Sequence, residues 1–183
     1  MQMATKTRPW VRADLERLPD DGNRYEVLDG ELFVTPQAAY DHQGIAVALI
    51  VALGPYCDRH VLGHVVGPGA VVFGKNELQP DVQVVPGTRR ARGTKWSDLP
   101  TPLLVAEILS DSTSSRDLGK KREAYLRINI RTYWVIDADN RRAFVWTPSS
   151  PEPETVTDML RWQPRPGLPP LEIPLETLLG PAA

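Results

Sequence analysis

The sequence predicts a mixed α/β domain built around one central sheet. Three observations carry that prediction. Helical and strand-like segments alternate up to about Thr147. Asp29-Gly30 separates two alternating hydrophobic runs, which is a hairpin signal. Leu103–Leu109 is a continuous apolar run interrupted only by Glu107.

Arg12–Leu18 reads as a short helix stopped by Pro19 and the Asp20-Asp21-Gly22 turn. Arg24–Leu28 and Glu31–Thr35 are the hairpin strands. Asp41–Leu53 is helical, because Ile45, Leu49 and Ala52 share a face with Ala46, Ile50 and Leu53 beside it. Gly54-Pro55 is its expected end. Val61–Val66 and Ala70–Phe73 flank the Gly67-Pro68-Gly69 turn, and Pro80–Val85 is a further strand. Thr88–Ser97 is polar and basic, hence a loop. Arg116–Ile128 is helical, with Leu118, Tyr125 and Ile128 toward the core. Thr132–Asp137 and Arg142–Trp146 pair around Asp139-Asn140. Of 18 prolines, 9 fall after Thr147, so that tail is not expected to form regular core sheet. It reads as an extended wrap ending in a short helix at Leu175–Leu179. The expected organisation is an N-terminal segment 1–10, a domain 11–147 and an extension 148–183 packed on it.

The chain has 183 residues and a mass of 20.4 kDa, enough for one core without disulfides. Its 42% hydrophobic and 24% charged residues exclude a collagen-like or wholly disordered chain. The lone cysteine, Cys57, cannot form an intrachain disulfide and suggests a reducing cytoplasm. No apolar run approaches the ~20 residues of a membrane span, and Met1 to Trp10 lacks the apolar stretch of a secretory signal. A net charge of −2 means that any nucleic-acid contact needs a local basic patch.

Three residues need explaining. Glu107 puts a carboxylate in an apolar strand, which is costly unless it is paired, reaches solvent or binds a cation. Asp81 follows Pro80 at a strand start, where a local turn hydrogen bond is the plain alternative. Lys121 stands four residues after Asp117, the spacing of ordinary helix support. Its helix follows the Glu107 strand closely, so it could fold back over that strand's end. Two converging carboxylates suit Mg²⁺ (or Mn²⁺), and a nearby lysine suits phosphodiester hydrolysis.

The ordered set Arg24-Tyr25-Glu26-Val27-Leu28-Asp29-Gly30-Glu31-Leu32, His42, Pro80-Asp81-Val82, Val105 through Thr113, Asp117 through Tyr125 and Tyr133-Trp134-Val135-Ile136-Asp137 resembles the Uma2 family of the PD-(D/E)XK nuclease superfamily. That resemblance spans roughly Arg12 to Trp146. It implies a restriction-endonuclease-like central mixed sheet flanked by helices, a divalent-metal site and cleavage of DNA, with a homodimer as the working form. By the same resemblance, Asp81 and Glu107 hold the metal, Lys121 assists the reaction and Glu31 supports the site, with Glu26 a weaker candidate. The superfamily's short motif wants lysine two residues after the second acid, where this chain has Leu109. Lys121 matches the displaced lysine, and Lys120 is its neighbour.

Arg89, Arg90, Arg92 and Lys95 form one basic cluster. Arg116, Lys120, Lys121, Arg122, Arg127 and Arg131 form another, against Asp117 and Glu123. The first is a candidate DNA-contacting loop or a solvated surface loop, and Lys120 and His42 are further candidate contacts. Ser110-Asp111-Ser112-Thr113 reads as a helix cap. Cys57, His60 and His64, with His42, resemble part of a zinc site. The leading function is a Mg²⁺-dependent DNA endonuclease. The alternatives are a non-catalytic nucleic-acid- or partner-binding relative, and a hydrolase of another phosphate ester.

Overall fold

The computed structural model describes residues 8–88, 92–110 and 114–181. A 3-10 helix at Arg12–Arg17 leads into the hairpin of β1 (Arg24–Leu28) and β2 (Glu31–Thr35). Asp29 and Gly30 both take positive φ, 49° and 89°, which matches the twist that a two-residue hairpin turn requires. Helix α1 spans Tyr40–Arg59. Strands β3 (Gly63–Val66), β4 (Val71–Phe73), β5 (Asn76–Leu78) and β6 (Val82–Pro86) follow, then β7 (Leu104–Ile108). The next helical segment comprises α2 (Ser114–Arg116), a π turn (Asp117–Lys121) and α3 (Arg122–Arg127). Strands β8 (Thr132–Asp137), β9 (Arg142–Thr147), β10 (Ser150–Val156), β11 (Met159–Trp162) and β12 (Leu171–Pro174) lead to α4 (Leu175–Leu179).

The central six-stranded sheet runs β10-β9-β8-β7-β6-β3. It is mixed: β7 and β8 are parallel, and the other neighbours are antiparallel. Alternation divides its side chains between two cores. Val82, Val84, Leu104, Ala106 and Ile108 pack with α1 and α4. Val105, Tyr133 and Val135 face the other way, onto Tyr125 of α3 and Leu28 and Leu78 of the second sheet, β2-β1-β5-β4. Glu107 shares the face of Val105 by the same parity, so the second core has a carboxylate at its edge.

Besides β5, β11 and β12, which the sequence expectation did not include, three elements differ from it. Gly54-Pro55 does not end α1, which continues to Arg59 with Pro55 inside it. The core burial of Tyr56 and Cys57 outweighs the one backbone bond that the proline removes. Ser150–Val156 joins the central sheet despite Pro151 and Pro153. It is the edge strand, and its register shifts between Ser150 and Glu154, the two circumstances in which a sheet tolerates proline. The Arg116–Ile128 helix contains the π turn, which periodicity of 3.6 residues does not foresee.

Gly30 has no room for a side chain, since a Cβ would stand 2.9 Å from Cβ of Pro9. Gly30→Ala therefore combines a contact with strain at positive φ, and should lower stability by about 1 kcal/mol or more in urea denaturation.

Candidate active site

Register sets the acids side by side. Val82 pairs with Ala106 across the antiparallel β6–β7 ladder, so Asp81, one residue back, comes opposite Glu107, one residue on. By alternation both side chains leave their strands on the face opposite Val82 and Ala106, where the start of α1 still reaches Asp81. The Ile108 N–H donates to Asp81 Oδ2 at 2.8 Å, which stitches the two strand ends together. Arg24 donates to Asp81 Oδ1 at 2.7 Å, and His42 Nε2 lies 3.1 Å from Oδ2. Burial alone would raise the Asp81 pKa. The His42 hydrogen bond, the Arg24 charge and the Ile108 N–H outweigh it and hold the carboxyl below its ordinary range.

Lys121 is almost fully buried, and its Nζ lies 2.8 Å from Glu26 Oε1, 2.9 Å from Glu107 Oε1 and 3.5 Å from Asp117 Oδ1. Burial opposes its charge, but the three carboxylates together raise its pKa above the ordinary lysine value. Tyr125 also donates to Glu107 Oε1, at 3.0 Å. Burial pushes the Glu107 pKa up to about 8; Lys121 pulls the other way, while Asp117, Asp81 and Glu26 add to the upward shift. The π turn carries both Asp117 and Lys121, and the Tyr133 hydroxyl donates to the Asp117 carbonyl within it at 2.9 Å. Such single π turns occur often at functional sites.

These groups border a cavity of about 400 Å³. Asp81, Glu107, Lys121, Asp117, Arg24 and Arg116 line it, with His42 and residues 36–39 on the α1 side. Ser110 also lines it, whereas Asp111 to Thr113 lie outside the described residues.

Each sequence candidate can now be located. Asp81, Glu107, Lys121 and His42 come together. Glu31 does not join them: its side chain is 57% exposed and binds Lys120, with Nζ–Oε distances of 2.6 and 2.7 Å. Glu31 opposes Leu28 and so shares the face of Glu26, but it stands on the edge strand β2 beside the turn, whereas Glu26 is on the inner strand β1, opposite Phe33, and points into the cluster. The Gln79 N–H fixes Glu26 Oε1 at 2.7 Å. The sequence alone marks Glu26 only as the weaker candidate and does not mark Arg24, which shares its face by two-residue spacing, the signal that would have found it. Lys120 is exposed, with Nζ 5.8 Å from the Phe33 ring centroid. Arg92 and Lys95 are exposed, and Arg89 and Arg90 lie outside the described residues. The zinc reading fails on position. Cys57 is in the core with its thiol pushed up to about 11 by burial and by Asp58, His60 packs on Tyr56, and His42 faces Asp81. Among the described residues, no three histidine, cysteine or acidic side chains form a metal cage.

The Uma2 family model, described as "Putative restriction endonuclease", matches residues 12–176. The chain belongs to the Uma2 family. A crystal structure titled as a "putative nuclease belonging to DUF820" from Anabaena variabilis ATCC 29413 matches it with a TM-score of 0.75 and 19% identity, covering 93% of this chain and 98% of that chain. The likeness supports a shared fold. No curated protein matches. Among the described residues, no helix of this Uma2 chain is long and apolar enough to cross a membrane.

The donor chemistry of the Uma2 site fits a hard divalent ion. Asp81 Oδ2 has two neighbouring donors, whereas Oδ1 accepts only Arg24 among the described residues. Glu107 Oε1 accepts from Lys121 and Tyr125, and its Oε2 accepts from no described residue. Two carboxylate oxygens thus retain lone pairs beside an open cavity, and Mg²⁺ commonly uses one or two carboxylates and completes its shell with water and phosphate oxygens.

The two lysines should separate in stability measurements. Lys121→Met leaves three buried acids facing one another and should cost about 3–5 kcal/mol in urea denaturation. Lys120→Ala breaks an exposed pair and should cost under about 1 kcal/mol.

Proposed function

We propose that this protein is a divalent-metal-dependent DNA endonuclease that hydrolyses phosphodiester bonds. The observation that carries the reading is the juxtaposition of Asp81 and Glu107 on adjacent strand ends, facing one cavity, with Lys121 bonded to Glu107. Family membership and the nuclease-like fold support it.

In this reading Asp81 and Glu107 hold Mg²⁺ or Mn²⁺. The ion would lower the pKa of a bound water and neutralise charge on the scissile phosphate. Arg24 and His42 fix the Asp81 rotamer, so that Oδ1 keeps its direction. Lys121 and Tyr125 fix Glu107 by its other oxygen. The Lys121 ammonium then serves the attacking water or the developing oxyanion. Arg116, which lines the cavity and donates to Thr35 Oγ1 at 2.9 Å, offers a fork-shaped cation to a phosphate. Glu26 takes the supporting position that the sequence suggested for Glu31, holding Lys121 in place. Arg92, Lys95 and Lys120 are candidate contacts to the backbone of DNA outside the cavity, where each phosphate contact adds salt dependence.

Cutting both strands requires two such sites, so we infer a homodimer as the working form. A second reading, a nucleic-acid-binding relative without catalysis, draws on one observation: Lys121 already spends its charge on three carboxylates. DNA binding that is salt-sensitive and never followed by cleavage would favour it.

A plasmid-nicking assay with added Mg²⁺ or Mn²⁺ tests the main reading. The parent protein should nick, and chelation should stop it. Asp81→Ala and Glu107→Ala should each lower the rate by about 100-fold or more while leaving the protein folded. Cleavage by either variant at the parental rate would overturn the assignment.

A further inference from the structure

The outward face of α1 has no partner within the described chain. Tyr40 is 90% exposed, Val47 57% and Val51 66%, and no charged residue stands between His42 and Asp58. At 100° per residue, Tyr40, Gly44, Val47, Val51, Gly54 and Asp58 fall on this one face.

Two of those residues are glycines, which cost about 1 kcal/mol each relative to alanine inside a helix. Neither is required by the fold, since a Cβ on Gly44 or Gly54 would meet nothing within 4 Å, and neither has positive φ. Glycine on an open helix face leaves room for a close approach by another backbone.

We propose that this face is the dimer interface, and that its occupant is α1 of a second copy, packed antiparallel about a two-fold axis near Leu49. The order of residues is self-complementary about that point. Val47 comes opposite the partner's Val51, Gly44 opposite the partner's Gly54, and Tyr40 opposite the partner's Asp58, whose carboxylate can accept the phenolic hydrogen. The flanks agree in charge. Asp41 and Arg59 project from the same side of the helix at its two ends, both are exposed, and neither pairs with any described residue. Antiparallel packing brings each Asp41 to the partner's Arg59, whereas parallel packing would gather like charges. The face carries no cation for a nucleic acid or an anionic lipid surface. The same axis keeps both cavities on one side of the dimer, because each is lined by Asp41, His42 and Ile45 from its own helix start. The interface itself is argued from α1 alone and does not depend on the nuclease reading.

One helix pair covers less than the ~800 Å² per partner of a standard interface, so dissociation in the micromolar range is expected. Sedimentation velocity of the full chain at increasing concentration should resolve monomer and dimer. Val51→Asp and Gly44→Leu should each weaken the dimer roughly 30-fold or more, with circular dichroism and melting unchanged because both sites are exposed. Asp41→Arg should weaken it, and the exchange Asp41→Arg with Arg59→Asp should restore it. A parent protein that stays monomeric near 100 µM, a dimer indifferent to Val51→Asp, or a charge exchange that restores nothing would overturn the proposal. The readout is mass alone, so loss of nicking in Glu107→Ala has no bearing on it.

Discussion

The buried ammonium of Lys121 is the constraint around which this end of the molecule is arranged. It stands within 3 Å of Glu26 from the hairpin and of Glu107 from the central sheet, while Asp117 lies on its own helical turn. Each acid alone would be expensive in a dry core, and so would the lysine. Together they fix how three separate pieces of chain meet. A buried ion cluster of this kind is weak evidence for net stability, since an apolar set of similar volume often does as well. Its effect is positional: the hairpin, β7 and the π turn have one arrangement in which the charges are met.

Holding the acids on a lysine also leaves the cluster short of positive charge. Glu26, Asp81, Glu107 and Asp117 face Arg24, Arg116 and Lys121, four acids against three permanent cations. Burial raises the Glu107 pKa, with Asp117, Asp81 and Glu26 adding to the shift, whereas His42, Arg24 and the Ile108 N–H hold the Asp81 pKa below its ordinary value. Two neighbouring carboxylates are thus pushed in opposite directions. Asp81 is prepared as an anion by the protein alone, whereas Glu107 resists ionising unless more positive charge arrives.

Much of the fold could be read from local patterns because local physics decides it. Asp29-Gly30 fixes the hairpin through backbone conformation, and the two-residue period of β6 and β7 fixes which face Asp81 and Glu107 share. What stayed hidden depends on partners far along the chain. Nothing near Gly54-Pro55 reveals that Tyr56 and Cys57 are core residues, yet their burial carries α1 to Arg59. Nothing in the proline-rich tail reveals that β9 offers an open edge to Ser150–Val156. Within the site, Glu107 stood out because it breaks an apolar run, whereas Asp81 and Lys121 fit an ordinary strand-start turn and helix pair and were marked by their order along the chain. Arg24 did not stand out, and Glu26 ranked below Glu31, since alternating charges on a hairpin usually mean a solvated face. The choice between Glu26 and Glu31 turned on which hairpin strand lies inside the second sheet and on what packs over it, a tertiary fact.

Lys121 shows how a lysine and a carboxylate on different elements come to meet. A lysine two residues after Glu107 would share its face by strand alternation, but Leu109 stands there and packs against the second core. Lys121 brings its ammonium to the same carboxylate from a helix instead, at 2.9 Å. Successive residues of a helical turn, α or π, point roughly a quarter-turn apart, so neighbouring lysines cannot both reach inward. The one that does is held by Glu107 and Glu26, and the other falls outside onto Glu31. Chemistry at this spot depends on where the charged tip arrives, not on which backbone element carries it. With an apolar residue at that position, Leu109 extends the second core up to the carboxylate.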